Sequence, residues 1–133
     1  RENSEKYEPV AFKSSVQVYS FIKHLAERDK ETLVSICLNV RNQIIGIDEV
    51  CIGSVIGLSV DAKDIFKLAI LKNSVSLILA HNHPSSDVQP SESDIAFTSR
   101  ILKAGEILGI KILDHIIVGA VSFYSFADQN NLF

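Results

Sequence analysis

The sequence predicts an α/β fold in which a mixed β-sheet is flanked by helices. Three observations lead to it. The chain has 133 residues, which suits one domain. Segments with period-two apolar alternation are interleaved with segments of helical period. One short run, Val75 to Ala80, is almost wholly apolar and reads as a central strand buried on both faces.

The elements follow in order. Residues 1–13 read as a linker or tail and 14–133 as the domain. Ser14 or Ser15 caps a helix to about Arg28, because Val18, Phe21, Ile22 and Leu25 fall on one face. Thr32 to Val40 alternates, with Val34, Ile36, Leu38 and Val40 together. Asn39 to Asn42 turns it into a second strand, Gln43 to Ile52, giving an antiparallel hairpin. Asp61 opens a short helix carrying Ile65, Leu68, Ala69 and Lys72. After the buried strand, His81 to Pro90 reads as a loop. Ser91 then starts the longest helix, with Phe97, Ile101, Ala104 and Leu108 inward and Gly109 ending it. Ile110 to Val118 and Val121 to Phe126 are two last strands, joined at Gly119-Ala120.

Composition narrows the function. With 47% hydrophobic and 22% charged residues, a sizeable core is available. The net charge of -3 disfavours a duplex held by its phosphates through this segment alone. No apolar run is long enough to span a bilayer, so no membrane role is expected, and the N-terminus has no signal-peptide core. Cys37 and Cys51 both lie in apolar strands and read as buried thiols of a reducing, cytoplasmic compartment. There is no CxxC pair, hence no thiolate zinc site. The absence of methionine suggests a piece of a longer chain with a domain upstream.

The chemistry concentrates in His81-Asn82-His83-Pro84 and Ser91-Glu92-Ser93-Asp94. Residues two apart on an extended backbone point the same way, so His81 and His83 aim at one place beyond the buried strand. Asp94 sits in the first turn of the helix that follows. Two imidazoles and a carboxylate leave one tetrahedral position for water, the arrangement of catalytic zinc, which lowers the pKa of water towards ~7. The same ligands also suit iron or manganese. An isolated HxH is often only solvated histidine, and Ser91-x-x-Asp94 alone resembles a capping box. Joined across seven residues, at a strand exit and a helix start, they point to a metal.

This pattern resembles the JAMM signature of the JAB/MPN metallopeptidases. Leu79-Ala-His-Asn-His-Pro-Ser85, Pro90-Ser91 and Leu113-Asp-His-Ile-Ile-Val-Gly119, with Asn39 and Gly53-Ser54, narrow the resemblance to the RadC-like branch. It extends from about residue 14 to the end. Ser86 stands where that branch usually has glycine, so the loop geometry there departs from the pattern. The resemblance implies the α-β-α sandwich of JAB/MPN and cytidine-deaminase-like folds, and one zinc ion held by His81, His83 and Asp94. It implies hydrolysis of amide or isopeptide bonds, with an unidentified peptide or protein substrate. It carries a DNA-repair association and an upstream helix-hairpin-helix region, through which any DNA contact would run.

A hydrolase of this kind needs a glutamate to take the proton from water and pass it to the leaving amine. Glu31, at the start of the first strand, matches the family's placement, and Glu49 on the second strand is the runner-up. Ser91 either caps its helix or donates to the oxyanion, and these roles are compatible. Asp114 and His115 suit either a supporting role behind the metal ligands or a structural one at the sheet end. Asn82 is expected to point away from the ligands and bind the loop. His24 reads as a helix-end histidine suited to the dipole. The alternative function is a non-catalytic scaffold of the same fold, making protein or DNA contacts. A nuclease reading has little support, because the contiguous His-Asn-His only coincides in letters with nuclease motifs.

Overall fold

The computed structural model describes residues 11–53 and 60–133. Most of the expected tail and Ser54 lie outside them. Five strands form one mixed sheet in the order β2-β1-β3-β4-β5. They are β1 (Glu31–Leu38), β2 (Ile44–Gly53), β3 (Ser76–Asn82), β4 (Lys111–Val118) and β5 (Phe123–Ser125). The β3–β4 pair is parallel and the other three are antiparallel. Among the described residues, three helices accompany them: α1 (Ser15–Ile22), α2 (Ala62–Leu71) and α3 (Glu92–Leu108).

Alternation along the strands divides the core into two layers. On one face Val34, Ile36, Ile78, Ala80 and Ile116 meet Val18 and Ile22 of α1. On the other, Leu33, Cys37, Leu77 and Leu79 meet Ile65 and Phe66 of α2 and Phe97 and Ile101 of α3. The sheet is therefore covered on both sides, as an α-β-α sandwich. Every residue of β3 is buried, which is why its sequence is nearly continuous in apolar residues.

Several boundaries differ from the sequence reading. The first helix tightens after Ile22 into a 3-10 turn, Lys23–Glu27. Ala11 bridges Gln43 and Phe12 is buried against the α1 layer, so the ordered fold begins before Ser14. Val40 is 83% exposed, because the Asn39 side chain accepts from the N–H groups of Arg41 and Gln43 and ends β1 at Leu38. Leu108 and Val121 are also exposed. The buried stripe of α3 instead runs through Asp94, Phe97, Thr98, Ile101 and Gly105. His81 and Asn82 belong to β3 rather than to the loop, since His81 pairs with Leu33 and Asn82 with Val118.

Candidate metal centre

The centre lies where β3 leaves the sheet and α3 begins. His81 is completely buried and lies on the face of Leu77 and Leu79, towards α3. His83 follows two residues later, after the strand has ended. Asp94 enters from the first turn of α3. There Ser91 caps the helix: its Oγ accepts from Asp94 N–H at 3.0 Å, and the Asp94 carboxylate accepts from Ser91 N–H at 2.9 Å. The capping box therefore holds the carboxylate at the histidines, so the same four residues serve both readings of the pattern.

His81 Nε2 stands 3.1 Å from His83 Nε2 and 3.3 Å from Asp94 Oδ1, and His83 Nε2 is 3.1 Å from Asp94 Oδ2. Donor atoms at about 2.0–2.1 Å from a tetrahedral zinc are separated by about 3.3 Å. The observed spacing fits three ligands sharing one cation. The other nitrogen of His83, Nδ1, lies 2.6 Å from the Asp87 carbonyl, which only accepts, so Nδ1 carries the hydrogen. Among the described residues, His81, His83 and Asp94 are the cluster that could hold an ion.

Electrostatics favour a cation here. Burial opposes ionisation of Asp94, but the neighbouring His81 and His83 rings and the Ser91 N–H outweigh it and hold the carboxyl far below its ordinary range. The Asp94 hydrogen bond raises the pKa of His83 against its partial burial, with further support from the Asp87 carbonyl and the Glu31 charge.

That last contribution locates Glu31. It is the first residue of β1, and alternation puts it on the same face as Leu33 and His81. Leu33–His81 is the last pair between these strands, and Glu31 lies two residues beyond it on β1, at the sheet end from which His83 emerges. Glu49 lies elsewhere: it pairs with Val34 on the α1 face and makes a 2.8 Å ion pair with Arg28. His24 is exposed in the 3-10 turn, near Glu49 rather than the centre.

Asn82, fully buried, does point away from the ligands, but it binds a different segment from the one expected. Its Oδ1 accepts from Thr32 N–H at 2.7 Å and its Nδ2 donates to the carbonyls of Arg28 and Lys30. These contacts hold the backbone on both sides of Glu31.

Asp114 and His115 divide their labour. The Asp114 carboxylate accepts from Ser125 Oγ and from the N–H groups of Ala127 and His115, tying β4 to β5 and the C-terminal turn. Burial raises its pKa against those hydrogen bonds. His115 is fully buried beside the centre, its Nε2 2.7 Å from His81 Nδ1 and its Nδ1 2.6 Å from Thr98 Oγ1. Burial, with His81 alongside, pushes its pKa well down. Thr98 went unmarked in the sequence, although its i+4 spacing from Asp94 places both on one helix face.

The sequence profile of the RadC-like JAB domain matches residues 12–132. The chain belongs to this family. Among curated relatives of this RadC-like JAB domain, a UPF0758 protein of Moorella thermoacetica is 43% identical over 78% of this chain and 45% of its own length. One from Thermotoga maritima is 35% identical over 93% of this chain and 56% of its own. Another, from Desulforudis audaxviator, is 44% identical over 73% and 42%. The chain thus spans about half the length of the curated relatives it matches.

Proposed function

We propose that this RadC-like JAB domain is a hydrolase of amide or isopeptide bonds that holds one zinc ion through His81, His83 and Asp94. The observation that carries the reading is the convergence of His81 Nε2, His83 Nε2 and the Asp94 carboxylate at 3.1–3.3 Å. Two imidazole nitrogens and a carboxylate facing one another in a largely buried cluster make an electron-rich hole that a divalent cation satisfies. Zinc in it would supply Lewis acidity and lower the pKa of the attacking water.

The chain's own residues account for the rest. Glu31, on the His83 side of the sheet end, takes the proton from water and delivers it to the leaving amine. Asn82 keeps Glu31 in register by clamping the backbone around it. The Ser91 hydroxyl accepts from Asp94 N–H, which leaves its hydrogen to donate to the oxyanion of the substrate carbonyl. A peptide or protein is the substrate class this chemistry fits.

Cytoplasmic residence and a DNA-repair association are part of the same proposal. Cys37 and Cys51 are set four residues apart along β1, one opposite Gly46 and the other opposite Leu33. That is about 13 Å, too far for a disulfide, and it suits a reducing compartment. No helix among the described residues is long and apolar enough to cross a membrane. Any DNA contact would run through a helix-hairpin-helix region outside residues 14–133, because this chain has a net charge of -3.

Zinc content and turnover test the proposal together. Metal analysis should find one zinc per chain. Glu31→Gln should keep the zinc and lose amide hydrolysis by two or more orders of magnitude against a peptide library, while Glu49→Gln retains it. A chain that folds equally well with zinc chelated, and binds none when it is restored, favours the scaffold reading.

A further inference from the structure

We infer that Thr98 and His115 form a relay that sets the tautomer of His81, so that its Nε2 lone pair faces the metal centre. The inference rests on the zinc-site reading above and adds two positioning residues behind the ligands.

The geometry leaves few choices. Thr98 Oγ1 lies 2.7 Å from the Asp94 carbonyl oxygen and 2.6 Å from His115 Nδ1. Its hydroxyl has one hydrogen. A carbonyl can only accept, so that hydrogen goes to Asp94 O, and Thr98 must accept from His115 Nδ1–H. A neutral imidazole with hydrogen on Nδ1 has a bare Nε2. That nitrogen faces His81 Nδ1 at 2.7 Å, so His81 donates from Nδ1. In the neutral ring, His81 Nε2 is then bare and turned to His83 and Asp94, which is the state that binding a cation requires. Thr98, His81 and His115 are all 0% exposed, so bulk water does not supply alternative partners. Phe126 stacks on His115 at 10° and 5.0 Å between ring centroids, which holds the ring plane.

The opposite tautomer shows what the relay prevents. Were Thr98 to donate to His115 instead, His115 would donate from Nε2 and His81 would carry its hydrogen on Nε2. That hydrogen would occupy the place of the cation. The two states differ by the rotation of one hydroxyl and the transfer of hydrogens between nitrogens of the two rings. The i−4 carbonyl of α3 selects the metal-ready state. His83 reaches the same end separately, through Asp87 O.

The test reads tautomers and metal affinity rather than turnover. In metal-free protein labelled with 15N-histidine, NMR should show His115 protonated at Nδ1 with bare Nε2, and His81 protonated at Nδ1. Zinc affinity, measured by competition with a chromophoric chelator, should fall 10–100-fold in Thr98→Val and recover in Thr98→Ser. Thermal unfolding of the metal-free variants controls for the fold. The inference is overturned if His115 carries its hydrogen on Nε2, or if folded Thr98→Val binds zinc as tightly as the wild type. A wild-type chain that binds no zinc would sink the metal reading instead, while the metal-free spectra would still decide the relay.

Discussion

Ser86 stands where the resemblance leads one to expect glycine, and it has φ of +65°, in the left-handed region. That is the conformation glycine adopts without penalty, so serine holds it at the cost of local strain. The turn is closed by Ser86 N–H donating to the His83 carbonyl at 2.8 Å, so the strain sits next to one of the clustered histidines. Ser86→Gly should stabilise the chain by about 1 kcal/mol, measured by urea unfolding at fixed zinc concentration. An unchanged or lower midpoint would mean that the long 3.4 Å contact between Ser86 Oγ and Ala120 N–H contributes more than the strain costs. Cys37 gives a second prediction. Burial pushes its thiol up to about 11, so at pH 8 only about one molecule in a thousand carries the thiolate that alkylating reagents attack. Iodoacetamide should leave Cys37 unmodified in the folded chain and label it on unfolding, as read by peptide mass spectrometry. Labelling of Cys37 in folded protein at the rate of an ordinary thiol would contradict its buried position.

At the scale of elements, the helix α3 and strand β4 show what a sequence reveals and what it hides. The start of α3 was legible because capping chemistry is local: Ser91 and Asp94 are three residues apart and satisfy each other's backbone groups. Its inner stripe was only half legible. Phe97 and Ile101 are buried as their spacing required, but the stripe ends on Gly105 rather than on Ala104 and Leu108. The reason is a close approach. A Cβ at Gly105 would stand 2.5 Å from the Ile110 carbonyl oxygen, where the chain doubles back into β4. Glycine is needed for clearance here, and no apolar pattern announces it. Gly105→Ala should therefore destabilise the chain by about 2–3 kcal/mol, although alanine is the better helix former. Glu106→Ala, at the exposed neighbouring position, should change stability by less than about 0.5 kcal/mol. Chemical denaturation of the two variants side by side checks the pair. Equal midpoints would show that the helix end shifts freely to admit a methyl group.

For the whole molecule, topology completes the centre. His81 and His83 are near in sequence to Asp94, and strand alternation was enough to foresee their meeting. The approach of His115 depends on the parallel β3–β4 pairing, with Leu79 opposite His115, which only the complete fold provides. Glu31 likewise depends on the β1–β3 register. A ligand that joins β3 to α3 in the folded state alone must stabilise that state. At free zinc a hundredfold above its dissociation constant, the gain is about 2.7 kcal/mol, which for a chain of this size is roughly a 10 °C rise in Tm. The gain should depend on pH in a definite direction. The Asp94 hydrogen bond raises the pKa of His83, so a proton competes with the metal for Nε2 as pH falls through that raised value. Without metal, the same interaction favours the folded state at pH below the unfolded histidine value of about 6.5, and this contribution is lost as pH rises through the folded value. Lowering the pH should therefore shrink the zinc increment from both sides: the loaded state loses affinity while the metal-free state gains from His83. Scanning calorimetry with excess zinc and with chelator, at pH 7.5 and 5.5, should show two well-separated midpoints at the higher pH that draw together at the lower one. Coincident midpoints at both pH values would mean that zinc does not join these two elements.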